Sequence, residues 1–268
     1  MADRIVTDLS DVRLRSGMGA AITADFLQMN SFDICKWEDD FLSGVLTTSV
    51  YTSSAGGAAT AFAVLAPSAS ANEWGTIRGV TGATDDQAVA ISLPLQCKGD
   101  YNAVMAVRYR VSSAANLKVE IGFRDTVASQ TGTVNALDTP SYNATNGCCW
   151  VYDIDATTDT WQAQGVKATV AATGVDLTAS SPHNASENNG ALPIADVYQT
   201  MVVALMEDNA YFDRYSADGR KQGATIMLTD CNTGSVNLAP TVYVQNRAGS
   251  ASKNFDIDFF KMWQLRRS

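Results

Sequence analysis

Histidine is almost missing from this chain: His183 is the only one in 268 residues, inside Ser181-Pro182-His183-Asn184. A lone imidazole in a loop-like run makes a poor base for a histidine-driven hydrolase, and a multi-histidine zinc site has too few ligands. Long apolar runs are missing too, since no stretch approaches the roughly 18 residues of a membrane-spanning helix. Paired-cysteine motifs are absent. The five cysteines are Cys35, Cys97, Cys148, Cys149 and Cys231, an odd number with no C-x-x-C spacing. Neighbouring Cys148 and Cys149 point to opposite sides of a strand, so they are not placed to bond each other. The cysteines read as reduced, mostly buried thiols rather than as a zinc or redox site.

Basic charge is scarce. Lys and Arg number 19 against 28 Asp and Glu, for a net charge of −9. That excludes the broad basic footprint of a nucleic-acid binder. The local basic clusters are Arg13/Arg15, Arg108/Arg110 and Arg266/Arg267. Arg108 and Arg110 share one strand face and read as solvated. Glycine-rich phosphate loops are missing. Met1 to Leu9 mixes charges with apolar residues and has no apolar signal core, so the expectation is a chain made and used in a cytoplasm. On that footing the acceptor triplets Asn143-Ala144-Thr145 and Asn184-Ala185-Ser186 are accidental.

What is present is alternation. Phe255, Ile257 and Phe259 fall on one side of the last stretch, and Asp256, Asp258 and Phe260 on the other, the period of a half-buried strand. Tyr101–Val111 aligns Ala103, Met105, Val107 and Tyr109. Asn116–Arg124 aligns Leu117, Val119, Ile121 and Phe123, and these two are expected to pair as an antiparallel hairpin. Gly147–Asp155 (Cys148, Trp150, Tyr152 and Ile154 aligned) returns through Trp161–Val170, and Val197–Glu207 pairs with Ala210–Ser216. Glu73–Val80, Gln87–Leu93, Ala224–Thr229 and Thr241–Gln245 read as further strands, and Thr126–Asn146 and Gly174–Gly190 as polar surface loops. About a dozen short strands with frequent turns point to a β-sandwich or barrel, with no internal repeat. Residues 1–36 lack the alternation and read as an N-terminal arm, with a short helix over Ala21–Met29.

Candidate chemistry is thin. Asp153 and Asp155 share a strand face, as do Asp256 and Asp258, but neither pair contains a Glu. They read as a hairpin shoulder and a solvated strand face rather than the two carboxylates of a glycosidase. Asp153-x-Asp155-x-Thr157-x-Asp159 looks like the start of a calcium loop, yet Thr158 stands where the loop glycine belongs and Gln164 where the closing Glu belongs.

The ordered pieces are Glu38-Asp39-Asp40-Phe41, Trp74-Gly75-Thr76-Ile77-Arg78, Thr81-Gly82-Ala83-Thr84-Asp85-Asp86 and Val119-Glu120-Ile121-Gly122-Phe123-Arg124-Asp125. Then come Trp150-Val151-Tyr152-Asp153 with Trp161, Tyr211-Phe212-Asp213 with Asp218-Gly219, Asn246-Arg247-Ala248 and Asp256-Ile257-Asp258-Phe259-Phe260. Together, over about residues 37–265, they resemble the concanavalin A-like lectin/glucanase jelly rolls. More narrowly, they resemble those found among tailed-bacteriophage virion proteins. The resemblance implies an all-β, concanavalin-like jelly-roll β-sandwich of two antiparallel sheets, with an extended N-terminal arm over 1–36 and the sandwich domain over 37–268. It supplies no catalytic residue, no metal ligand and no cofactor.

The first functional expectation from the resemblance is a capsid decoration or cement protein on the virion exterior. Its partners would be the major capsid protein and further copies of itself, a trimer being compatible with capsid symmetry. Arg4, Arg13 and Arg15 would meet acidic capsid surface. The alternative is a tail fibre, receptor-binding or lectin-like protein that takes a host glycan, with Trp74, Trp150 and Trp161 as stacking platforms, although such rings more often pack a core. A glycoside hydrolase of the same fold is the third reading. Neither nucleic acid nor membrane is an expected partner.

Overall fold

Leu117, Val119, Ile121 and Phe123 occupy alternate positions on one strand, and all four are fully buried. Such apolar stripes, set strand beside strand, are what two sheets bury against each other. The computed structural model describes residues 34–65, 75–137, 141–157, 159–171, 175–176, 192–249 and 251–265. Among these residues no helix is long and apolar enough to cross a membrane.

The chain order begins β1 (Ile34–Asp39), β2 (Thr52–Ala55), β3 (Thr60–Val64), β4 (Ile77–Val80), β5 (Ala88–Ser92), β6 (Val104–Val111), β7 (Leu117–Arg124), β8 (Val134–Ala136) and β9 (Ser141–Tyr142). It continues β10 (Gly147–Asp153), β11 (Gln162–Lys167), β12 (Val170–Ala171), β13 (Val175–Asp176), β14 (Gln199–Met206), β15 (Asn209–Tyr215), β16 (Ile226–Leu228), β17 (Ala239–Asn246) and β18 (Asn254–Leu265). The first sheet runs β16-β15-β14-β6-β18-β4-β3, with β1 also on β18. The second runs β12-β11-β10-β7-β17-β5-β2, with β13 also on β11. Among the described residues the named strands pair antiparallel. The all-β sandwich of two antiparallel sheets is therefore as expected.

One core fills the space between the sheets. Met105, Val107 and Tyr109 of β6 share it with Val119 and Ile121 of β7, Trp150 of β10 and Val203 of β14. Aromatic edges and faces lock it: Trp150 lies T-shaped to Trp161 at 6.5 Å and to Phe212 at 5.4 Å, and Tyr109 stacks on Phe255 at 5.1 Å.

The expected β6–β7 hairpin is wrong. β6 lies in the first sheet between β14 and β18, and β7 in the second between β10 and β17. The connection, with Asn116 at φ 52, carries the chain from one sheet to the other. Alternation reports which face of a strand is apolar, not which strand lies beside it. The hairpins β10–β11 and β14–β15 did form in sequence order, with Val151 opposite Gln162 and Met206 opposite Asn209.

The last strand also departs from simple alternation. Its register against β6 shifts between Ile257 and Phe259, leaving Asp258 as the extra residue of a bulge. Phe255 and Ile257 point into the core before the bulge, and Phe260 and Met262 after it, so Phe259 lies on the outer face rather than with Ile257. β1 pairs with β18 from Ile34 to Asp39, so the sheet reaches three residues into the stretch assigned to the arm.

Candidate functional site

The outer face of the second sheet carries Lys118, Glu120, Gly122 and Arg124 from β7, Cys149, Val151 and Asp153 from β10, and Thr241, Tyr243 and Gln245 from β17. An outer face this polar would ordinarily meet water. Here Lys118 and Glu120 are each only 2% exposed, and Arg124 3%. The cover comes from residues 126–137 and 141–146, within the Thr126–Asn146 stretch expected to be a surface loop. Ala128 packs on Ala88, Ala90 and Tyr243 at one side of the sheet. Val134 and Leu137 pack on Cys149 and Val151 at the other.

The segment is held through its backbone. The Thr133 and Val134 amides donate to Glu120 at 2.5 and 3.2 Å. Lys118 Nζ donates to the Val134 carbonyl and lies 3.2 Å from the Glu120 carboxylate. Arg124 donates to the Thr131 carbonyl at 2.8 Å, and the Tyr243 hydroxyl to that of Gln130 at 3.3 Å. Gly132 makes the close approach feasible: a Cβ there would stand 2.3 Å from Glu120 Oε1. At the far end Arg247 grips Asp153 through Nε (3.1 Å) and Nη2 (2.7 Å). Burial acts to lower the Arg247 pKa, but Asp153, Asp155 and Asp86 around it raise it overall.

Each carboxylate on this face is thus already engaged. Glu120 holds two amides and a lysine; Asp153 holds an arginine. Both side chains are thereby committed to bonds within the protein. Asp153 is also the first residue of the calcium-like run, and its ion pair with Arg247 competes with a cation there. Among the described residues, no group of three or more His, Cys, Asp or Glu could hold a metal.

The second acidic pair fares similarly. On the outer face of the first sheet, Asp256 accepts a bidentate bond from Arg78 (2.6 and 2.8 Å) and a further one from Arg110 (2.6 Å). Asp258 accepts from Arg108 at 2.6 Å. The guanidinium carbons of Arg108 and Arg110 lie 4.7 and 5.0 Å from the centre of the Tyr198 ring. Arg108 and Arg110 are therefore bound into an ionic strip rather than simply solvated.

Two of the three expected stacking rings are not on the surface. Trp150 is 1% exposed and Trp161 fully buried, both inside the sandwich. Their alternation with the core stripe put them there, and a sugar could reach neither without unpacking it. Trp74, Arg4, Arg13, Arg15 and His183 lie outside the described residues.

An open groove lies at one side of the sandwich, and no sequence motif marks it. It measures about 690 Å³ and is lined by Gly44, Val45, Leu46, Thr48, Tyr51, Thr52, Ser53 and Ala61–Val64. β2 ends the second sheet and β3 ends the first, so the groove runs between two open sheet edges. Ser53 ties them together: its hydroxyl donates to the Ala90 carbonyl at 3.2 Å and accepts from the Phe62 amide at 3.0 Å. Tyr51 and Phe62 are nearly buried aromatic walls, while Val45 is 71% exposed. The Tyr51 hydroxyl accepts from Trp37 Nε1 at 3.0 Å, and burial raises its pKa. Because its walls come from a turn and two edge strands of different sheets, no local spacing rule marks it. The arrangement offers apolar walls, hydroxyls and unpaired backbone edges, the mixture found in small-ligand sites.

No protein-family model matches the sequence, and no curated protein matches it. Solved structures do match in shape. A protein of unknown function from Shewanella oneidensis MR-1 superposes with a TM-score of 0.55 at 12% identity, over 95% of this chain and 98% of that one. Peanut lectin gives 0.53 at 9% identity, over 88% and 100%. A Bacillus licheniformis β-glucanase gives 0.50 at 12% identity, over 87% and 98%. The fold is a concanavalin-like jelly roll. At these identities the likeness concerns the fold and leaves open what the chain binds.

Proposed function

We propose that this protein is a carbohydrate-binding jelly roll that does not cleave its ligand, and that the glycan lies in the groove between β2 and β3. The observation that carries the reading is the pairing of an open groove with a closed sheet face. The polar face of the second sheet, where Glu120 and Asp153 stand, is covered by the described residues of the 126–137 stretch, Ala128, Thr133, Val134 and Leu137 among them. The groove instead presents the exposed apolar side chain of Val45, with Leu46 beside it, and hydroxyls in Thr48 and Thr52, over a floor of buried Tyr51 and Phe62. Sugars bind by laying their apolar faces on exposed apolar side chains and sharing hydroxyl hydrogen bonds at the rim. A glycan array with the full chain tests this, followed by titration of the best ligand. Val45→Asp changes an exposed groove residue and should leave folding intact while weakening binding about tenfold, the equivalent of about 1.4 kcal/mol. Release of shortened sugars from any bound polysaccharide would defeat the non-catalytic part.

A second reading places the chain on a phage particle, as a capsid decoration or tail component. Its support is the pair of open sheet edges beside exposed Leu42 (65%) and Val45 (71%), a surface suited to association with another protein. Counting copies against the major capsid protein in purified particles tests it. Hundreds of copies would favour the head, a handful the tail, and none would end this reading.

A further inference from the structure

Arg214 is out of place. It sits on β15 directly opposite Met201 of β14, and Met201 is a core residue, so the guanidinium points between the sheets. The side chain is 6% exposed, and its Nη1 is enclosed without a hydrogen-bond partner. Among the described residues no carboxylate pairs with it. Neighbouring Asp213 points to the opposite face and is occupied by Lys221 (2.7 Å) and Thr225 (2.8 Å). What surrounds Arg214 is aromatic: its guanidinium carbon lies 5.5 Å from the Trp150 ring, and Tyr109 is close enough to act on its charge.

A buried cation without a partner is costly, and native proteins avoid one unless something compensates it. The ring face of Trp150 compensates only in part. A second polar atom against these rings is also unsatisfied. Trp161 Nε1 approaches the Tyr109 hydroxyl without completing a hydrogen bond. The Tyr109 hydroxyl itself donates to Gln199 Oε1 at 3.0 Å. Thr160 and Trp161 precede β11, the strand that faces this part of the first sheet across the core. Arg214 and Trp161 both lie against Trp150 and Tyr109, and among the described residues no acceptor meets Arg214 Nη1 or Trp161 Nε1. Burial also pulls the Arg214 pKa down to about 10, as expected for a desolvated cation.

We infer that Arg214 Nη1 is the binding point for a small monovalent anion, of the size of chloride or formate. The anion would accept from Nη1 and complete the charge balance of the core. It would act as a structural ion inside the sandwich, separate from the groove at the sheet edges.

Thermal unfolding of the full chain tests this with sodium formate and sodium chloride as probes, at constant ionic strength balanced by a bulky buffer anion. At ten times its dissociation constant, a bound ion should raise the wild-type midpoint by about 3–5 °C. Arg214→Met should show no such rise and should be at least as stable as wild type without added anion. No rise in wild type, or an equal rise in the variant, would overturn the inference. Should Arg214→Met fail to fold, bromide soaked into wild-type crystals decides. Anomalous density within hydrogen-bonding distance of the guanidinium supports the site, and its absence there overturns it.

Discussion

Glu120→Gln is the sharpest perturbation of the covered sheet face. Glu120 is 2% exposed and accepts from two backbone amides, at 2.5 Å from Thr133 and 3.2 Å from Val134, with Lys118 at 3.2 Å. A carboxylate can take all three because it has acceptors on both oxygens. The glutamine amide keeps one acceptor and turns an N–H₂ toward an amide donor. It also leaves Lys118 buried with the Val134 carbonyl and Asp153 at 4.0 Å. Removing one member of a buried ion pair costs about 3–5 kcal/mol. For a chain of this size that lowers the midpoint by on the order of 10 °C. Calorimetry of wild type and variant gives the number, and hydrogen exchange at Thr133 and Val134 shows whether the segment loosens first. A variant within about 0.5 kcal/mol of wild type, with unchanged exchange at those amides, would refute the view that Glu120 pins the cover.

Gly122→Ala should be severely destabilising, by about 3 kcal/mol or more, because its Cβ would stand 2.2 Å from the Cys148 carbonyl oxygen, a backbone atom of the paired strand; denaturant melts measure it. The buried thiols predict a fall in stability at alkaline pH. Burial, the leading cause in each case, raises the pKa of Cys97, Cys148 and Cys149, so the folded state keeps protons that the unfolded chain loses above about pH 8.5. Stability is then full below that pH and falls as pH rises, the three thiols together giving about 4 kcal/mol per pH unit. Flat denaturant midpoints between pH 8 and 10 would contradict it. The same burial predicts that alkylation of the native protein labels half-buried Cys35 well before the other four, which mass spectrometry reads directly.

The stripes Ala103–Tyr109, Leu117–Phe123, Cys148–Tyr152 and Met201–Leu205 were legible in the sequence because a half-buried strand must alternate, and all four face the core. What alternation could not supply was partnership. β6 and β7 look like a hairpin by sequence distance, yet the jelly roll sends them to opposite sheets. A single bulge at Asp258 moved Phe259 to the outer face, something a period-two pattern cannot announce. The polar run from Thr126 to Asn146 reads as surface, but its backbone amides and carbonyls are what Glu120, Lys118 and Arg124 bind. Residue type alone suggests Trp150 and Trp161 as sugar platforms, and their place on the core stripe decides otherwise. The groove and the unpaired Arg214 arise from the meeting of distant strands, and no local motif marks either.

The most direct measurement of the central claim is hydrogen–deuterium exchange of the full chain with and without the glycan that binds it best. The account predicts slowed exchange confined to residues 44–53 and 61–64, the walls of the groove, with residues 126–146 unchanged. Protection over 126–146 instead, or release of that segment on binding, would put the ligand on the second sheet's polar face and contradict the assignment.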